Sequence, residues 1–152
     1  MEYPMKAEAI KDKIGVESEP VTCEIEKGLL KRFVQTIDDH NPLWQDEEYA
    51  GRTKYGGIIA PPTMLLAVGF EQFHQYSSEI FSLFSTSLNG GTELECYQPV
   101  RPGDKLTITT RLIDVYERDI RTGKATFTTF ETTYRKEGEG LVAICRNMGI
   151  LY

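Results

Sequence analysis

From Pro61 to about Phe73 the chain is apolar on most sides of a helix, with Met64, Leu65, Leu66, Ala67, Val68, Phe70 and Phe73 spread around the axis. A helix without a polar face has to be buried. The sequence that follows can bury it. From about Ser82 the apolar period changes to two, and four stretches read as strands: 85–98, 105–116, 124–135 and 141–152. Arg101-Pro102-Gly103-Asp104 is a turn, and residues 118–123 and 137–140 are hairpin loops. Leu106, Ile108, Thr110 and Leu112 share one strand face; Thr126, Thr128, Phe130, Thr132 and Tyr134 share another. One apolar helix followed by four antiparallel strands packs in one way: an α+β layer arrangement with the sheet wrapped around the helix.

Upstream of that helix, residues 21–25 alternate like a strand edge. Residues 27–37 carry Leu29, Leu30, Phe33, Val34 and Ile37 on one stripe, with Lys31, Arg32 and Gln35 outward, as an amphipathic helix does. Asn41-Pro42 is expected to stop it, because the residue before proline avoids the helical region. Residues 46–50 read as one further helical turn, and 51–57 as a loop with Arg52 and Lys54. Residues 1–20 are a polar extension in which 7–14 form a short helix packed on the outside. No repeat or linker divides the chain, so 1–152 is read as one domain.

The stretch from Asp38 to Met64 has the punctuation of a site. Asp39, His40 and Asn41 sit at a helix end, Pro42 sets the exit, and Tyr55-Gly56-Gly57 precedes the fresh helix start at Pro61-Pro62. Taken alone, each residue has an ordinary reading. Asp39 is a turn carboxylate, Trp44 is a core aromatic, Gly56-Gly57 is turn chemistry, and His74 is a solvated helix residue.

The segment Asp38-Asp39-His40-Asn41-Pro42-Leu43-Trp44, with Ala50 six residues on, resembles the G-D-x-N-P-[LIV]-H signature of MaoC-like hydratases and dehydratases. The Pro61-Pro62 form is similar to their N-terminal MaoC dehydratase branch. The resemblance implies a hotdog fold, normally a dimer with a continuous ten-stranded sheet. It also implies hydration of 2-enoyl thioesters, or dehydration of 3-hydroxyacyl thioesters, by a loop Asp/His pair and a backbone oxyanion donor near the central helix start. Asp39 stands at the Asp position. Trp44 stands at the His position, and an indole N–H cannot accept a proton. Pro61-Pro62 lacks N–H groups where the donor is expected; Thr63 or Met64 is the remaining supplier. His40 lies at a variable position and is the alternative base. The residues expected to line the acyl thioester are Asn41, Trp44, Tyr49, Tyr55, Gly56, Gly57, Ile59, Ala60, Pro61, Pro62, Thr63 and Met64. Asp39, Trp44, Gly57 and Ala60 to Thr63 are expected to share one cleft near a dimer interface.

Four functions stay open. The chain could be the acyl-binding subunit of an (R)-specific type enoyl-thioester hydratase or 3-hydroxyacyl-thioester dehydratase, paired with a MaoC-like chain bearing an intact Asp/His pair. It could be a self-sufficient homodimeric enoyl-CoA hydratase using Asp39. It could be a non-catalytic acyl-thioester binding module, or a thioesterase. A formal net charge of −6 argues against nucleic acid and anionic membrane as partners. It also means that a polyanionic ligand such as coenzyme A needs a local basic patch. Cys23, Cys96 and Cys145 are too widely spaced for a zinc site or a disulfide framework, and no metal or organic cofactor is expected. The location expected is cytoplasmic.

Overall fold

A computed structural model describes residues 6–152. Along the chain run α1 (Glu8–Lys11), β1 (Val21–Glu24), α2 (Lys27–Thr36), a 3-10 turn (Pro42–Trp44) and α3 (Glu47–Gly51). Then come α4 (Met64–Phe81), β2 (Ser87–Cys96), β3 (Lys105–Ile120), β4 (Gly123–Lys136) and β5 (Gly140–Leu151). The strands form one antiparallel sheet in the order β1-β3-β4-β5-β2. The link from β2 to β3 therefore crosses the sheet, and β1 and β2 are its two edges. The sheet wraps α4, which is the α+β hotdog arrangement.

The strand faces follow from the period-two pattern. Leu106, Ile108, Thr110 and Leu112 of β3 are buried, as are Thr126, Thr128, Phe130, Thr132 and Tyr134 of β4. Phe130 is packed edge-to-face by Phe73, Phe81 and Tyr76. At the other end Tyr134 donates its hydroxyl proton to the Leu65 carbonyl at 2.8 Å. A Cβ on Gly69 would sit 2.1 Å from that hydroxyl oxygen. Glycine is therefore what lets α4 lie this close to β4.

Several boundaries differ from the sequence reading, for physical reasons. Helix α4 begins at Met64, since Pro61-Pro62-Thr63 forms the turn before it, and it runs to Phe81 rather than ending near Phe73. Buried Gln72 and Ser77 interrupt the apolar stripe and hide the continuation. The helix is also not enclosed on every side: Leu65 is 4% exposed, but Leu66 is 36% and Phe70 63% exposed. Helix α2 ends at Thr36, not at Asn41-Pro42. Asp38 turns the chain there with φ 53°, in the left-handed region. The loop at 118–123 is only a two-residue turn between Ile120 and Gly123.

The N-terminal segment does not pack on the outside. Ala7 and Ile10 are buried against Ile80, Leu112, Phe130 and Leu151 in one of two core clusters. Residues 14–18 then run beside β3, with Gly15 N–H on the Leu112 carbonyl and Ser18 N–H on the Thr110 carbonyl, both at 2.8 Å. Buried Gln72 of α4 donates to Ser18 Oγ at 2.6 Å and to the Glu19 carbonyl at 2.8 Å. The segment is a strap that closes one side of α4.

Candidate functional site

The stretch from Asp38 to Gln45 closes on itself. The Asn41 side chain accepts from the Leu43 amide at 3.0 Å and caps the 3-10 turn, with Pro42 supplying a preset φ at its start. That turn brings Trp44 back to Asp39. Asp39 Oδ1 accepts from the Asn41 amide at 2.9 Å, and Oδ2 accepts from the Trp44 indole N–H at 2.8 Å. The Asp39 carbonyl accepts from Gln45 Nε2 at 2.8 Å. The Asn41 amide, and then the Trp44 indole, hold the Asp39 carboxyl below its ordinary range, with a smaller contribution from His40. A carboxylate with both oxygens engaged and a lowered pKa is a weak base. His40 lies 3.1 Å from Asp38 Oδ1, with both side chains largely in solvent.

Trp44 lines a groove of about 260 Å³ with Leu30 and Val34 of α2, Ile58 and Pro102; Lys27, Lys31 and Glu47 stand on it. An adjoining groove of about 380 Å³ is lined by Gly57 and Arg101 and shares Lys27, Glu47, Ile58 and Pro102. Arg101 reaches it because Asp104 accepts its amide at 2.7 Å and buried Lys136 holds Asp104 at 3.1 Å. Its guanidinium donates to the Tyr55 carbonyl at 2.5 Å, fixing the Gly56-Gly57 loop. Gly56 has φ 67°, which this turn needs.

The residues expected to share one cleft are not brought together in either groove. Trp44 lines one and Gly57 the adjoining one, whereas Asp39, tied to Trp44, and Ala60 to Thr63 line neither. Ile59, Ala60 and Met64 are packed in the core. Pro61 is buried too, whereas Pro62, Thr63, Asn41 and Tyr49 are exposed and Tyr55 is half-buried. The Met64 amide is spent on the Pro61 carbonyl at 2.9 Å, and Pro62 has none, so Thr63 carries the first amide left at the helix start. Ile58, Pro102, Lys27 and Arg101 are groove residues that the sequence reading did not single out. The one hint for Arg101 is a basic residue in a Pro-Gly turn, which says nothing of Tyr55. Among the described residues no cluster of His, Cys, Asp and Glu has the makings of a metal site. No described helix is long and apolar enough to cross a membrane.

A third groove, of about 250 Å³, lies on the open side of α4 between Leu66, Gly69, Phe70 and the inner face of β2 and β5. Its polar wall is Asn89, Thr92 and Asn147, with Thr92 Oγ1 3.0 Å from Asn147 Oδ1.

The family model of the FAS1-like dehydratase domain region matches residues 12–144. The chain belongs to that family. A UPF0336 protein of Streptomyces avermitilis is 30% identical over 91 residues, covering 59% of this chain and 61% of the relative. The chain spans less than two thirds of the length of three such relatives, at 61%, 64% and 66%. The fold is that of MaoC-like hotdog proteins. The MaoC-like dehydratase from Rhodospirillum rubrum superposes with a TM-score of 0.68 at 19% identity, covering 91% of this chain and 92% of that one. A chain of the HadBC (3R-hydroxyacyl-ACP dehydratase) complex from Mycobacterium tuberculosis superposes with a TM-score of 0.78 at 18% identity, covering 92% and 98%.

Proposed function

We propose that this member of the dehydratase-region family is the thioester-holding subunit of an enoyl-thioester hydratase or 3-hydroxyacyl-thioester dehydratase. A second hotdog chain with a free Asp/His pair carries out the proton transfers. Hydration adds the water oxygen to the β-carbon, passes one water proton to a base, and delivers a proton to the α-carbon. Dehydration reverses those steps. The reaction needs a base and a donor for the thioester oxygen, on which charge develops.

The observation that carries the proposal is the Asp39–Trp44 hydrogen bond. It places a donor that cannot take a proton where the family resemblance puts histidine, and it engages the carboxylate that would orient the water. The chemistry is therefore absent from this half, while apolar grooves beside Trp44 and beside Phe70 remain.

Partial exposure of Leu66 and Phe70, together with the open β2 edge, supports a partner on that side of the molecule. The HadBC neighbour is itself a complex of dehydratase chains. A self-similar partner of this kind would cover α4 and continue the sheet from β2.

Crotonyl-CoA hydration should be measured with this chain alone, with a candidate hotdog partner alone, and with the two co-expressed. The subunit reading expects co-purification and a rate that rises on assembly. Equal rates with and without this chain, or no complex, would overturn it. A rate from the pure chain would favour a self-sufficient homodimer instead.

A further inference from the structure

Arg101 is a half-buried arginine with no carboxylate within ion-pair distance among the described residues, in contrast to Arg52, Arg111 and Arg146. One of its five donors is engaged by the Tyr55 carbonyl. Beside the guanidinium lies Gly57, whose absent side chain leaves the groove open; a Cβ there would be 3.7 Å from Nη1. The guanidinium is held in advance from two directions. Tyr55 fixes its head, and the Lys136–Asp104 pair fixes the turn that carries it. The one carboxylate on this groove, Glu47, is paired with Lys27. The groove continues past Ile58 and Pro102 to the apolar stretch formed by Trp44, Leu30 and Val34.

We infer that Arg101, with the space at Gly57, is an anion subsite for the phosphate of a phosphopantetheine-bearing thioester, whose arm lies along Ile58 and Trp44. This rests on the acyl-thioester reading above. A planar guanidinium with free donors suits a phosphate, which it can grip through two parallel hydrogen bonds. In a chain of net charge −6 such a point is what an anionic ligand needs. Preorganisation lowers the cost of ordering the arginine on binding. The phosphate is common to coenzyme A and to the prosthetic arm of a carrier protein.

The test is a calorimetric titration of the full chain with crotonyl-pantetheine, crotonyl-phosphopantetheine and crotonyl-CoA. Fluorescence of Trp44, the only tryptophan, serves as a second readout. The two phosphate-bearing ligands should bind about tenfold or more tighter than crotonyl-pantetheine, the worth of a charged hydrogen-bonded contact. Arg101→Gln should abolish that preference. Gly57→Asp, which sets a carboxylate beside the guanidinium, should also abolish it while keeping the Arg101–Tyr55 contact, which separates loss of the anion site from loss of the loop. Equal affinity for CoA and phosphopantetheine assigns the contact to the shared phosphate; tighter CoA binding that also depends on Arg101 assigns it to the nucleotide phosphates. An unchanged preference in both variants, or none in the wild type, overturns the subsite and leaves the thioester reading standing. Failure of all three ligands to bind overturns both.

Discussion

The indole N–H of Trp44 donates to Asp39 Oδ2 at 2.8 Å across a five-residue turn. The bond does two things. It closes the Asp38–Gln45 loop, and it holds the Asp39 carboxyl ionised at lower pH than an ordinary aspartate, together with the Asn41 amide. With the folded pKa below the unfolded one, the loop's contribution to stability is full above the ordinary aspartate range and is lost as pH falls through the folded value. Trp44→Phe should move the Asp39 carboxyl titration upward, so that acid loosening begins at higher pH. Carboxyl-carbon NMR of both proteins measures this; coincident titrations would mean that the indole bond is not formed in solution.

Asp38 occupies the left-handed region at the position where the resembling signature has glycine. Asp38→Gly should relieve up to about 1 kcal/mol of backbone strain, and Asp38→Val should cost about as much or more. Thermal melts of the three proteins should fall in the order Gly, Asp, Val.

Gly69 and Tyr134 are coupled by contact. Gly69→Ala sets a Cβ against the Tyr134 hydroxyl and ring and should destabilise the fold by about 3 kcal/mol or more. Tyr134→Phe alone should cost about 1 kcal/mol through loss of the bond to the Leu65 carbonyl. Combined, the two changes should cost less than their sum, since the shorter ring removes the closest clash. Denaturant unfolding of the four proteins in this cycle reads the coupling.

The N-terminal strap is part of the core. Ile10 is fully buried, and Ile10→Ala should cost about 2–5 kcal/mol. A loss below about 0.5 kcal/mol, the range of surface substitutions, would show that the strap is not docked in solution.

The fold was legible where side-chain period decides it. The inner faces of β3 and β4 and the apolar stripe of α2 follow from spacing alone. It was less legible where polar residues are buried for tertiary reasons. Gln72 is inside because Ser18 and Glu19 meet it, and no local pattern in α4 announces that. The N-terminal residues read as an extension because only two of those described, Ala7 and Ile10, are buried, and they lie among charged neighbours. In the site, the motif drew attention to the Asp39–Trp44 stretch, but the bond between them depends on how the 3-10 turn folds back. Arg101 meets Tyr55 across 46 positions of sequence, a contact that sheet topology creates.

Restoring the missing groups probes the account from the other side. Trp44→His alone should give little activity, because an oxyanion donor is worth about 10²–10³ in rate and Pro62 still supplies none. Trp44→His with Pro62→Gly should give more than either change alone in crotonyl-CoA hydration. A full rate from Trp44→His by itself would show that the donor was present all along, with Thr63 the first amide to examine.

The most direct measurement is the initial rate of crotonyl-CoA hydration by the pure wild-type chain beside its Asp39→Asn variant. Asp39 is engaged by Asn41 and Trp44, and the neighbouring His40 pairs with Asp38, so both proteins should show no rate above the uncatalysed background. A wild-type rate well above background that Asp39→Asn abolishes would contradict this and make Asp39 a working base.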